Sequence, residues 1–194
     1  MDLARLWCAL LNIDRVLKSV DGSMAELGVD KGNFSSILAW FAGRYGRTLY
    51  MLDTFSGFAP SQMDAEVTEV QRAMFRDASL EIAKKYVGES EGFRWIVGEF
   101  PASTTEELNS DRFSFVSLDC DLYEPIRDGL DFFWGRLQPG GMIFVHDYSS
   151  HWWPGATRAV DEFLARVPAS AVLLPDKSGT IVLQKSPLTP APLP

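Results

Sequence analysis

Cysteine is scarce in this chain. Cys8 and Cys120 are the only two among 194 residues. Two thiols so far apart suggest neither a disulfide framework nor a zinc site, and a reduced, cytoplasmic setting is the expectation. Long apolar runs are missing as well. The longest one near the start, Leu6 to Leu11, is too short for a membrane span and has neither a basic flank nor a clear cleavage site. A soluble, untargeted protein is therefore expected. Positive charge is in deficit, with 18 Lys and Arg against 26 Asp and Glu and a net charge of -8. An acidic surface argues against a nucleic-acid backbone or an anionic membrane as the main partner. It leaves room for a small neutral or cationic ligand. The full dinucleotide fingerprint is also absent. Its second glycine would fall on Asp30, whose charge would repel a pyrophosphate.

What is present is a hydrophobic fraction of 46% with 12% aromatics, enough for one globular domain with a full core. Apolar positions recur along the chain in two alternating rhythms. Phe34, Ile37, Leu38, Phe41, Ala42 and Tyr45 lie at helical spacing, which predicts a helix over 33–45. Further helices are predicted over 5–19, 64–87, 123–137 and 155–167, with a short one within 101–108. Strands are predicted over 23–28, 47–55, 93–100, 113–121 and 142–148. A hairpin is predicted over 171–184 around a D-K-S-G turn, and the Pro-rich end reads as a disordered tail. Strand–helix alternation implies an α/β fold: a doubly wound, mostly parallel seven-stranded sheet closed by an antiparallel hairpin. The expected organisation is a helical segment over 1–22, one domain over 23–185 and a tail over 186–194.

In such sheets the ligand lies beyond the carboxyl ends of the strands. Those ends carry Glu26 to Gly28, Asp53, Gly98 to Phe100, Asp119 with Asp121, and His146 with Asp147. Acids repeated along one edge are hard to read as solvated decoration. "AELGVDKGN" makes a glycine-containing strand-to-helix turn in which Gly28 and Gly32 would let a ligand approach the backbone. An ordinary tight turn is the plainer alternative. Asp53 stands at the next strand end, where an acid accepts hydrogen bonds from a ribose diol. Together they point to a nucleoside without phosphate, and S-adenosylmethionine fits that description.

"SLDCD" ends an apolar strand in two carboxylates. By strand alternation Asp119 and Asp121 would point to the same side. With His146 and Asp147 from the neighbouring strand they would form an oxygen-rich cation site suited to Mg²⁺. A hydrogen-bonded structural histidine is the alternative for His146. Trp152 and Trp153 precede a Pro-Gly helix entry and would wall an acceptor ring, or else pack on the domain or an oligomer face. Tyr123 and Tyr148 border the same strand ends as further acceptor candidates. The loop over 56–64 reads as a lid or as plain surface.

These pieces resemble the class I S-adenosylmethionine-dependent methyltransferases, and specifically the TylF/MycF/NovP (macrocin O-methyltransferase-like) family. The resemblance is carried by "AELGVDKGN", "LDTFSGF", "VGEFPAST", "LDCDLYEP", "LQPGGMIFVHDY" and "PGATRAVDEF", in order across about 24–163. It implies O-methylation of a sugar hydroxyl on a natural product, with Mg²⁺. Carried over, Glu26, Gly28, Val29 and Gly32 would hold the methionine part. Asp53 would hold the ribose, with Thr54, Phe55 and Gly57 lining the site and Gly98 and Phe100 by the adenine. Asp119, counted also among the cofactor contacts, and Asp147 match family metal ligands, and Asp121 matches a general base.

Two departures stand out. The family usually ends its fifth strand in Asp-Asp-Tyr, whereas this chain has His146-Asp147-Tyr148. Imidazole is a poorer Mg²⁺ ligand than carboxylate and favours softer ions, so Mn²⁺, a weakened site or none are alternatives. Only about 22 residues precede the first strand, which predicts an acceptor pocket that is open or completed by a second subunit. A homo-oligomer, a dimer, is expected.

Methyl transfer is an in-line displacement at the sulfonium carbon, helped by a cation on the acceptor oxygen and a carboxylate that takes its proton. Asp121 is the first choice of base and His146 the second. Rival readings are a methyltransferase for a phenolic, catechol-like acceptor and a non-catalytic S-adenosylmethionine-binding module.

Overall fold

The computed structural model describes residues 2–63 and 67–187. Most of the predicted tail, 188–194, lies outside the described residues, as does the start of the predicted 64–87 helix. Helix α1, Leu3–Ser19, opens on Asp2, whose carboxylate accepts the Ala4 and Arg5 amides. It buries Arg5, Ala9, Ile13, Val16 and Leu17 along one face. The five parallel strands are β1 (Ser23–Leu27), β2 (Leu49–Asp53), β3 (Phe93–Val97), β4 (Phe113–Leu118) and β5 (Leu137–Val145). Between them run α2 (Ser35–Tyr45), α3 (Glu69–Arg72), α4 (Leu80–Val87), α5 (Glu106–Ser110) and α6 (Tyr123–Arg136). Helix α7 (Pro154–Arg166) leads into the antiparallel pair β6 (Ser170–Leu173) and β7 (Ile181–Gln184).

The sheet has seven strands in the order β3-β2-β1-β4-β5-β7-β6, mostly parallel with an antiparallel end, as the α/β reading expects of its class. The chain winds outward from β1 to β3, then returns to place β4 on the other side of β1. The switch point is thus the β1/β4 crevice. Strand alternation splits the core in two. Tyr50, Leu52, Ile143 and Val145 face α6 and α7, whereas Leu49, Met51, Met142 and Phe144 face α1 and α2.

Several boundaries differ from the sequence expectation, each for a local reason. The predicted 64–87 helix is replaced, within the described residues, by two helices. Thr68 caps α3 in a capping box and Ser79 caps α4, while Phe75 between them takes a left-handed φ of +61°. Strand β4 stops at Leu118 rather than running to 121, and β5 stops at Val145 rather than 148. Asp121 and Asp147 have φ of +61° and +59°, which no strand accommodates. The QPGG stretch does not separate helix from strand. It lies inside β5, and the register jumps there from Leu137 opposite Phe113 to Met142 opposite Phe115. Among the described residues no helix is long and apolar enough to cross a membrane.

Candidate active site

A cavity of about 450 Å³ opens at the carboxyl ends of β1, β2, β4 and β5. Glu26, the fourth residue of β1, is buried there and accepts a hydrogen bond from the Ser35 hydroxyl at the start of α2. Burial pushes its carboxyl up to about 8, with the Asp119 charge adding to the rise. The following turn is tight. Gly28 has φ +93°, and a Cβ there would stand 2.1 Å from the carbonyl oxygen of Asp119. Only glycine lets β1 and β4 approach so closely at the crevice.

Asp53 closes β2 and is spoken for by the backbone. Its Oδ2 accepts the amides of Val29 and Asp30 at 2.7 and 2.9 Å, and Oδ1 accepts that of Phe55 at 2.7 Å. The acid predicted to hold a ribose therefore also shapes the glycine turn, with limited acceptor capacity left facing the cavity. Gly28, Val29, Thr54, Gly57, Gly98 and Phe100 line the cavity with it. Gly32 and Phe55 do not. Gly32 backs onto α4, where a Cβ would lie 2.8 Å from Val87 Cγ2. Phe55 turns its ring to Trp95.

The second wall carries Asp119, Asp121, His146 and Asp147. His146 Nδ1 lies 2.8 Å from Asp119 Oδ1 and 2.7 Å from Asp147 Oδ2. On its other oxygen Asp119 receives Nη2 of Arg5 at 2.8 Å. Arg5 is 7% exposed and reaches the cavity from α1. Burial alone would raise the Asp119 carboxyl, but Arg5 and then His146 hold it well below the usual carboxylate range. Burial would lower the His146 imidazole, yet Asp119 and Asp147 push it up to about 10. Burial, then the charges of Asp119 and Asp147, push the Asp121 carboxyl well above the ordinary value. Asp121 reaches this wall through its left-handed turn and not through strand alternation, which ends at Leu118.

Asp119, His146 and Asp147 each offer a ligand atom, and these lie within 4.8 Å of one another. The buried His146 Nδ1 has no aligned hydrogen-bond partner among the described residues. The donor set therefore fits a divalent cation. One imidazole among two carboxylates suits Mn²⁺ or another transition ion better than Mg²⁺. Arg5 on Asp119 Oδ2 leaves that carboxylate one free oxygen toward the cluster.

The predicted acceptor residues divide. Trp153 is buried and lines the cavity, while its neighbour Trp152 points outward and is 60% exposed. Tyr123 and Tyr148 do not line this cavity, but Tyr123 and Trp152 border a small pocket beside it that shares Asp121 and Trp153. The two tyrosine hydroxyls donate to Glu162 and Asp161 of α7, each at 2.7 Å. Arg5 is the functional candidate that sequence reading missed. The one signal was a cation at the edge of an otherwise apolar helical face, a weak one, because long basic side chains commonly lie along such faces.

The model of the macrocin-O-methyltransferase (TylF) family matches residues 5–173. A 4'-O-methyltransferase of Streptomyces olivaceus, named for 8-demethyl-8-(2,3-dimethoxy-alpha-L-rhamnosyl)-tetracenomycin-C, is 25% identical. The match covers 67% of this chain and 54% of that protein, so this chain spans about half of that relative. Demethyldecarbamoylnovobiocin O-methyltransferase of Streptomyces niveus is also 25% identical, over 86% of this chain and 67% of that one. Among solved structures, the O-methyltransferase NovP superposes with a TM-score of 0.79 at 22% identity, covering 95% of this chain and 80% of its own. The SAH-bound methyltransferase PaMTH1 of Podospora anserina gives 0.57 at 20%, covering 91% and 76%. Likenesses at that identity carry the fold. The family match covers most of the chain, and the chain belongs to the macrocin-O-methyltransferase (TylF) family.

Proposed function

We propose that the protein is an S-adenosylmethionine-dependent O-methyltransferase acting on a hydroxyl of a sugar or another small natural-product acceptor. The observation that carries this reading is one cavity with two unlike walls. The Glu26–Gly28 turn with Asp53 offers acids and close backbone to a cationic nucleoside. The Asp119, Asp121, His146 and Asp147 wall offers groups that handle a proton. Family membership and the rhamnosyl acceptor in one relative's name support the same reading.

In this reading Glu26 faces the methionine ammonium, Gly28 and Val29 present backbone, and Gly98 and Phe100 border the adenine. Trp153 closes the acceptor side. An acceptor hydroxyl attacks the methyl carbon in line with the leaving sulfur, and positioning supplies much of the rate. Asp121 is the base that takes the hydroxyl proton. Burial and the charges of Asp119 and Asp147 raise its affinity for a proton, and positive charge on this wall favours the carboxylate form that acts as base. Asp119, His146 and Asp147 are the residues that would hold a divalent cation, which supplies Lewis-acid polarisation of the acceptor oxygen.

The test is calorimetry with S-adenosylmethionine and with NAD, followed by turnover on a panel of glycosyl and phenolic acceptors read by mass spectrometry. Each acceptor is run with Mg²⁺, with Mn²⁺ and with EDTA. S-adenosylmethionine binding without NAD binding, and a mass gain of one methyl group on a glycosyl hydroxyl, are expected. Methylation of phenols alone would overturn the sugar reading. Equal turnover in EDTA would remove the cation.

A further inference from the structure

Helix α1 delivers to the cavity a guanidinium that is larger than its visible task. Arg5 has five N–H groups. Among the described residues its side chain makes one hydrogen bond, from Nη2 to Asp119. Its Nε is buried and without a partner among the described residues. The Phe34 ring, another cavity residue, lies 4.8 Å from Cζ and holds the guanidinium in place. A buried donor without an acceptor is costly, and Arg5 is nine-tenths buried with donors to spare. Glu26 and Gly28 line the same cavity, and Glu26 is close enough for its charge to be felt at Arg5. The cavity therefore offers an acid and a partly unsatisfied base near one another, the complement of a zwitterion.

We infer that Arg5 binds the carboxylate of the amino-acid end of the cofactor, while Glu26 receives its ammonium. This deepens the S-adenosylmethionine reading and rests on it. Arg5 then has two partners. Asp119 takes one edge of the guanidinium and fixes its plane, and the ligand carboxylate takes remaining N–H groups. An Arg fork matches a carboxylate in geometry as well as charge, which a lysine does not. A helix at the beginning of the described chain thereby becomes part of the cofactor site.

The experiment compares S-adenosylmethionine with its decarboxylated analogue, which keeps the sulfonium and the ammonium and lacks only the carboxylate. Calorimetry on the wild-type protein is expected to show S-adenosylmethionine binding about tenfold to a hundredfold more tightly. Arg5→Gln is expected to erase that preference, weakening S-adenosylmethionine while leaving the decarboxylated analogue within about threefold. Arg5→Lys should retain part of the preference. A role confined to holding Asp119 would weaken both ligands equally, and that result overturns the inference. So does a wild-type protein indifferent to the carboxylate, a comparison that needs no variant to fold. Failure of the wild type to bind either ligand would instead overturn the cofactor reading itself.

Discussion

Gly28 and Asp119 meet where β1 and β4 separate. A methyl group on residue 28 would lie 2.1 Å from the Asp119 carbonyl oxygen, and residue 28 has φ +93°. Both walls of the cavity are therefore hinged on one missing side chain. Gly28→Ala must push the strand ends apart and also strain the backbone. A loss of about 3 kcal/mol or more is expected, seen in chemical denaturation, with S-adenosylhomocysteine binding abolished. Gly135→Ala serves as control, because nothing lies within 4 Å of a Cβ there.

The Arg5–Asp119 pair joins α1 to the end of β4, with Arg5 buried and Asp119 half-buried. Removing one partner leaves the other charged and partly unpaired. Arg5→Gln is expected to cost about 3 kcal/mol, at the low end for a broken buried pair because Asp119 retains His146. The double variant Arg5→Gln/Asp119→Asn should lose less than the sum of the single losses. Urea unfolding of all four proteins closes the cycle.

Glu26 is raised to about 8 in the free protein, mainly by burial. It is thus largely protonated at neutral pH. A cationic ligand beside it favours the carboxylate, so binding releases a proton. Affinity should rise with pH from 6 toward 8 and level above that. Calorimetry in two buffers of different ionisation enthalpy should reveal the released proton. In Glu26→Gln both the pH slope and the proton release should vanish.

His146 is raised from 6.5 to about 10. A raised histidine contributes stability that is complete below pH 6.5 and is lost as pH climbs through about 10. Glu26, raised from 4.5, adds a second fall between pH 4.5 and about 8, because its folded state binds the extra proton. The unfolding temperature measured in EDTA should therefore decline from pH 6.5 to 10, by about 2–4 °C for each kcal/mol lost. His146→Asn should decline less than the wild type between pH 8 and 10, with the remaining fall contributed by other raised groups such as Asp121 and Cys120. A wild-type profile that stays level from 8 to 10 would contradict the imidazolium between Asp119 and Asp147.

Chelation separates the two ways in which the acidic wall can be neutralised. Addition of Mn²⁺ should displace the proton of His146 and raise the unfolding temperature at pH 7. Asp147→Asn removes one of the three ligand groups and should abolish that rise. Mg²⁺ should produce a smaller shift, as expected for a site with one imidazole.

The order of strands and helices was written in local periodicity: alternation for strands, three-to-four spacing for helices, glycine and Asx residues between. Parallel topology then forces every strand's carboxyl end to one edge. For that reason Asp53, Asp119, His146 and Asp147 could be placed together from residue order alone. Tertiary structure decided what those acids meet. Arg5 is 114 residues from Asp119, and no periodicity relates the two. Asp121 reaches the wall through a left-handed turn that strand alternation does not encode. The hydroxyls of Tyr123 and Tyr148 are taken by acids of α7, partners that residue order does not reveal. Trp152 and Trp153 are adjacent in sequence, yet one faces solvent and the other the cavity. Pattern along the chain specifies elements because backbone hydrogen bonding is local. The partner of a buried charge is specified only when distant elements pack, because burial makes an unpaired charge costly wherever in the chain its partner lies.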